Sequence, residues 1–295
     1  MTEIRRIGGR IGAEITGVDP HALPFDELNG LLLEHKALVF RGAGLDEDGQ
    51  LRFAARFGEL TGAHPTVPSV HGRPQILPVD GDEGIRSNVW HTDVTFVLTP
   101  PAVSTLRALV VPPYGGHTLI ANSAAAYRDL PGPLREFADR LWAVHTNDYD
   151  YVRPGPTAAG AEEYRRVFTS TRYRTAHPVV RVHPGTGEPG LFIGGFAQQI
   201  VGLSNTESRD ILRLLQAYVT RPENLLRVQW NPGDLVVFDN RITQHYAPDD
   251  YGDLPRVLHR VTVAGDVPAG VTGERSRIIE GDPATHYTPA LSAAS

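Results

Sequence analysis

Residues 102–122 read AVSTLRALVVPPYGGHTLIAN. A run rich in Val, Leu and Thr ends at a Pro-Pro-Tyr-Gly-Gly turn, and a second apolar run follows at once. β-branched residues suit a pleated surface, and Pro with Gly marks a chain reversal. The unit predicts two strands and a turn. The same pattern recurs in LWAVHTN (141–147), PVVRVH (178–183), GLFIG (190–194), NLLRVQW (224–230), DLVVFDN (234–240) and RVLHRVTVAG (256–265), with HPGTGEPG and NPGD as further turns. RIGGRIGAEITGVD at the start reads as a short hairpin. Leucines at helical spacing mark 25–36, ahead of the strand ALVFRG (37–42), and a second helix is expected over about 46–58. Further helices fall near 123–129, 133–140, 161–168 and 206–221.

Many short strands with a few helices between them predict a mainly β chain with peripheral helices, folded as a double-stranded β-helix (jelly roll). Neither an internal repeat nor a low-complexity linker divides the sequence, so 1–295 reads as a single domain. The polar, Tyr- and Arg-rich stretch 148–175 is expected to be a lid insertion. A loose C-terminal tail is expected from about 270.

Hydrophobic residues make up 41% and charged residues 21% of the 295, which is ordinary globular composition. Apolar runs fall short of the roughly 18–20 residues needed to cross a bilayer, and MTEIRRIGGRIGAEI lacks the apolar core of a signal peptide. A cytoplasmic protein with no membrane partner is the expectation. A formal net charge of −6 argues against nucleic acid as a partner. Cysteine is absent, so any metal site must be built from His and carboxylates.

The segment 88–96 reads NVWHTDVTF. On extended chain, side chains two apart point the same way, so His91 and Asp93 can face one metal. By itself an H-x-D triplet also fits a surface His beside an Asp. The second block is WNPGDLVVFDNRITQH, in which a turn and a buried strand deliver His245. Two imidazoles and one carboxylate would form a facial triad with positions open for O2 and a chelating cosubstrate. Asp239 can bind metal or orient the loop that follows it. Arg256 and Arg260 lie four apart in an apolar strand, where each needs an anion, supplied either by a salt bridge or by a bound carboxylate.

Taken together, WHTDVTF, PPYGGHTLIAN, WNPGDLVVFDNRITQH and RVLHRVTVAGD resemble the taurine dioxygenase family, which includes the iron-dependent alkylsulfatases. The resemblance runs from near Ile7 to about Val267. It implies an Fe(II)- and 2-oxoglutarate-dependent dioxygenase, with O2 as cosubstrate, that oxidises an unactivated C–H bond and releases succinate and CO2. His91, Asp93 and His245 match the iron ligands, and Thr118 with Arg256 matches the pair on the distal carboxylate of 2-oxoglutarate. His64, Val94 and Arg260 match positions around the primary substrate, where His and Arg hold a sulfonate or sulfate. Whether Arg260 meets substrate or cosubstrate stays open at this point.

Two departures bear on the substrate. A Tyr three residues after the matched His and an Asn four before the first ligand meet the taurine amine in that family. Here they are Val67 and Ser87, and the Trp often found after GGxTL is Ile120. The expected partner is therefore a small, mostly aliphatic anion: a carboxylate, sulfate or sulfonate. The leading reading is natural-product tailoring in secondary metabolism, such as hydroxylation, desaturation or epoxidation of a terpenoid-type acid. Its alternative is alkylsulfatase-type cleavage of alkyl sulfates. Phe96, Tyr149, Tyr151 and Phe196 are candidates for the apolar lining. A zinc hydrolase would want a Glu in the ligand blocks, and none is there; a non-catalytic jelly roll would not be expected to keep the triad with Thr118 and Arg256. By the resemblance, a homo-oligomer, dimer or tetramer, is expected. The other histidines, among them His145, His177 and His183, are expected to be structural or solvated.

Overall fold

A computed structural model describes residues 2–80, 87–148, 162 and 165–281. The larger sheet begins with a hairpin, β1 (Glu3–Arg6) and β2 (Ala13–Thr16), which pair antiparallel with Ile4 opposite Ile15; its first strand lies almost wholly upstream of the stretch expected to form the hairpin, 6–19. It continues through β3 (Ala37–Phe40), β13 (Leu235–Asp239), β5 (Val103–Val110), β15 (Val257–Val263) and β4 (Ile76–Asp80), in that order. Every residue of β13 is buried, because both faces of this central strand are covered. Leu235 and Val237 pack with Leu28, Leu32 and Phe53 on the helices α1 (Phe25–His35) and α2 (Glu47–Ala55). Val236 and Phe238 point the other way, into a cluster with Ile120, Leu226 and Leu258. Alternation and two-sided cover together turn the strand into a continuous apolar run.

The opposite layer is built of smaller sheets. One has the order β12 (Leu225–Val228), β6 (Thr118–Asn122), β14 (Thr243–Tyr246). Another runs β11 (Ala197–Ile200), β7 (Trp142–Thr146), β8 (Arg174–Pro178), β17 (Arg277–Glu280). A third joins β10 (Pro189–Leu191), β9 (Val180–Val182) and β16 (Ala269–Gly270). Two layers facing each other across an apolar interior give the expected jelly roll. Helices α3 (Ser123–Arg128), α4 (Gly132–Ala138) and α5 (Asn205–Val219) lie among the smaller sheets, and α5 starts on a Ser204–Glu207 capping box.

Several expectations need correction. The tail does not come loose at 270, since Arg277–Glu280 pairs with β8; residues 282–295 lie outside the described residues. The stretch 148–175, expected as a lid insertion, reaches into regular structure at its end, because Arg174 already belongs to β8; 149–161, 163 and 164 lie outside the described residues, Tyr149 and Tyr151 with them. Strand β4 was not foreseen, because Pro78 interrupts it, and an edge strand is where a Pro is tolerated. Strands β11 (AQQI) and β14 (TQHY) were missed because they are polar in composition.

Candidate metal centre and its surroundings

His91 and His245 are brought together by the backbone. Each donates its N–H to the other's carbonyl, at 3.0 and 2.7 Å, forming an isolated antiparallel bridge. Asp93 follows two residues on; its N–H donates to Asn240 Oδ1 at 3.0 Å, and Asn240 Nδ2 reaches back to the Asp93 carbonyl at 3.3 Å. One ligand-type atom from each of the three residues lies within 4.8 Å of the others. The Nε2 atoms of His91 and His245 stand 4.0 and 3.8 Å from Asp93 Oδ1.

Their protonation states suit a divalent cation. The Nδ1–H of His91 donates to Val89 O at 2.7 Å, which leaves the Nε2 lone pair facing the carboxylate. Burial lowers the His91 imidazole and pushes that of His245 down to about 3, so both stay neutral. Burial alone would raise the Asp93 carboxyl, but the Arg260 guanidinium above all, with the Ser104 hydroxyl, outweighs it and holds Asp93 at about 2. Ser104 Oγ donates to Asp93 Oδ2 at 2.7 Å, and Arg260 Nη1 donates to Oδ1. Two neutral imidazoles and one carboxylate, a hard and borderline donor set, fit iron(II) with coordination positions left over.

Close to this triad Thr118 Oγ1 accepts from Trp230 Nε1 at 3.0 Å and from Arg256 Nη2 at 3.3 Å. Arg256 is buried, donates from Nε to Gly116 O at 2.7 Å and lies over the Tyr251 ring. Gly116 sits at φ 62, and a Cβ there would come within 2.7 Å of Pro112 and 3.1 Å of the Arg256 side chain. The turn PPYGG thus needs its glycine to let Arg256 approach. A carboxylate could bridge the guanidinium and the threonine hydroxyl.

A separate apolar cluster gathers Val67, Val94, Phe96 and Phe196 with Ala63, Leu77, Phe168 and Tyr173. His64 joins it through ring contacts with Phe96 and Phe168 at 6.0 and 5.2 Å. Its Nδ1 accepts from the N–H groups of Thr66 and Val67 at 3.2 and 3.1 Å, so the ring carries its proton on Nε2. The ring of Phe196 stands 6.0 Å from that of His91, which sets the cluster against the triad. Arg260 borders both, with Nη2 donating to Ala63 O at 3.3 Å. Val94 holds φ 53, a left-handed conformation that costs a β-branched residue on the order of 1–2 kcal/mol. The Ser87 carbonyl accepts from the N–H of Ala247, two residues beyond His245, at 3.0 Å.

Asp239 is not drawn into the metal cluster. Its Oδ1 accepts from the backbone N–H and Nε of Arg241 at 3.0 and 2.9 Å, and its Oδ2 from Arg241 Nη2 and His183 Nε2 at 2.7 and 3.0 Å. It is the orienting group of the loop before His245. Ser104, Trp230 and Asn240 were given no role from sequence, although each polar atom touches a site residue. A serine in the apolar run AVSTL and the Asn of VVFDN were the available signals. Phe168 and Tyr173 lie in the polar stretch read as a lid, where nothing distinguished them as lining.

A jelly roll that holds two imidazoles and one carboxylate around open coordination positions is the architecture of a mononuclear non-haem iron oxygenase. The chain belongs to the family described as Taurine catabolism dioxygenase TauD, TfdA family, which matches residues 3–262. It is an Fe(II)- and 2-oxoglutarate-dependent dioxygenase. It is 51% identical over 282 residues to an alpha-ketoglutarate-dependent sulfate ester dioxygenase of Pseudomonas putida, covering 93% of each chain. An alkylsulfatase of Acinetobacter baylyi is 46% identical over 284 residues, covering 93% of this chain and 89% of the relative. Among solved structures, a taurine dioxygenase from Burkholderia xenovorans superposes with a TM-score of 0.80 at 37% identity, covering 96% of both chains. Among the described residues no helix is long and apolar enough to cross a membrane.

Proposed function

We propose that this enzyme oxidises alkyl sulfate esters at the carbon next to the ester oxygen. His91, Asp93 and His245 ligate the iron, and Arg256 with Thr118 receives the distal carboxylate of 2-oxoglutarate. When bound, the iron and 2-oxoglutarate supply an oxidant able to attack an unactivated C–H bond. Arg260 and the Nε2–H of His64 take the sulfate, and the cluster around Val67, Phe96 and Phe196 takes the alkyl chain. The net reaction balances as RCH2OSO3⁻ + O2 + 2-oxoglutarate → RCHO + HSO4⁻ + succinate + CO2. Hydroxylation of the ester carbon gives a product that collapses to aldehyde and hydrogen sulfate without further help from the protein.

The observation that carries this reading is the buried Arg260 at the margin of an apolar cluster in which Val67 offers nothing to an ammonium group. A planar guanidinium suits a sulfate, and an apolar wall suits a chain. From sequence alone a terpenoid-type acid comes first and alkyl sulfates second. That order is reversed here, because the sulfate ester dioxygenase and the alkylsulfatase match over nearly the whole chain. The test is succinate and sulfate release with n-hexyl sulfate, against taurine and a C6 carboxylate as controls. Equal or greater stimulation by taurine or the carboxylate would overturn it.

A further inference from the structure

Two buried histidines outside the metal centre have no part in the chemistry above. His145 and His177 sit on β7 and β8, fully enclosed, with ring centroids 4.9 Å apart and Phe192 against both. His177 Nε2 lies 2.7 Å from Thr95 O and 3.1 Å from Val97 O, so it carries a proton and donates to both carbonyls. Its Nδ1 lies 2.6 Å from Ser276 Oγ. His145 Nδ1 lies 2.8 Å from Thr95 Oγ1, and Thr175 Oγ1 donates to Phe96 O at 2.8 Å. The three carbonyls that follow Val94 in the site turn, those of Thr95, Phe96 and Val97, or in Thr95's case also its hydroxyl, are thus gripped from β7 and β8. On the other side Asn240 holds Asp93 by its N–H and its carbonyl. Between the two grips lies Val94 at φ 53, a conformation that persists only where its surroundings enforce it.

We infer that His177, seconded by His145, is a positioning residue: it clamps the Val94 turn against Asp93 and so sets the substrate side of the site rather than the cosubstrate side. Burial keeps His177 neutral, with its imidazole down at about 3, so its one ring proton stays on Nε2, where it serves the two carbonyls. Among the described residues no clamp bond reaches Thr118 or Arg256, whose contacts run to Trp230 and Gly116. Loss of the clamp should therefore divide the two ligands. The inference rests on the alkyl sulfate reading only for the choice of substrate.

The iron-loaded enzyme with His177→Leu should show a KM for n-hexyl sulfate raised at least tenfold. Its KM for 2-oxoglutarate should stay within twofold, and the visible band of the iron–2-oxoglutarate chelate should be unchanged. His177→Gln, whose side-chain N–H can replace Nε2–H, should recover most of the loss. Thr95→Val, which removes only the bond to His145, should shift the same KM in the same direction by a smaller factor, and it serves if the Leu variant does not fold. Amide exchange over residues 93–97 needs no substrate. It should speed by tenfold or more in the Leu variant and return in the Gln variant. If the wild type ignores alkyl sulfates, the proposed function fails, and exchange still decides the clamp. Equal shifts in both KM values, failure of the Gln rescue, or unchanged exchange at 93–97 would overturn it.

Discussion

Arg260 Nη1 donates to Asp93 Oδ1, the same carboxylate oxygen that faces the Nε2 atoms of His91 and His245. Both partners are buried, at 6% and 1% exposure, so neither charge has water to fall back on. Removing one member of a buried pair costs about 3–5 kcal/mol, because the other is left uncompensated. Arg260→Leu should accordingly lower the unfolding free energy of the metal-free protein by that order in urea titration. In the iron-loaded enzyme it should leave the 2-oxoglutarate chelate band in place and remove turnover of n-hexyl sulfate. Loss of the band would instead assign Arg260 to the cosubstrate.

His245→Ala removes one of three ligand atoms. A cation held only by the folded state stabilises it by about 2.7 kcal/mol at a hundredfold excess over Kd. Wild-type protein should therefore gain thermal stability with Fe(II) under anaerobic conditions, and with Mn(II) as a redox-stable surrogate. The variant should show neither that gain nor the chelate band. A metal-dependent rise in Tm that survives the substitution would remove His245 from the ligand set.

Thr118→Val separates two effects. The hydroxyl accepts from Trp230 and Arg256, so its loss strands a buried indole N–H at about 1–3 kcal/mol of stability. It also weakens the proposed carboxylate site: KM for 2-oxoglutarate should rise about tenfold, equivalent to roughly 1.4 kcal/mol, while KM for the sulfate ester changes little. A selective rise in the sulfate ester KM would contradict the assignment.

Acidity should unfold the protein earlier than its surface charge suggests. Burial holds the His177 imidazole down at about 3 and that of His145 well below the ordinary 6.5, so the folded chain stays unprotonated where the unfolded chain takes up protons. Stability from these groups is complete above pH 6.5 and is lost as pH falls from there toward their folded values. Each imidazole contributes a slope of about 1.4 kcal/mol per pH unit in that window. Urea midpoints between pH 7 and pH 5 should show this slope, and His177→Gln should flatten it by one proton. An unchanged slope would mean that His177 already titrates normally when folded.

How far the sequence reached differs from element to element. The central strand LVVFD was readable because cover on both faces leaves an uninterrupted apolar run. His91 and Asp93 were readable as a pair because their two-residue spacing survives in the fold. Strand TQHY was not, since its polar side chains answer to partners far away in sequence: Gln244 bonds to Gln216 and Ile193. Strand AQQI was not, because its glutamines break the apolar pattern and bond to the nearby carbonyls of Gly195 and Leu203. The grip of β8 on the Val94 turn was equally hidden. His177 was expected to be an ordinary strand histidine, and nothing local to RTAHP distinguishes one that meets Thr95 from one that meets solvent.

The rung that ties His91 to His245 joins segments from distant parts of the chain, and the geometry of the pair is written in main-chain bonds. Main-chain bonds are indifferent to which side chains neighbour them. Side chains between the two histidines that touch neither the rung nor the site can therefore be exchanged without detuning the pair. Variation aimed at a new substrate is therefore best confined to the apolar walls around Val67, Phe96 and Phe196.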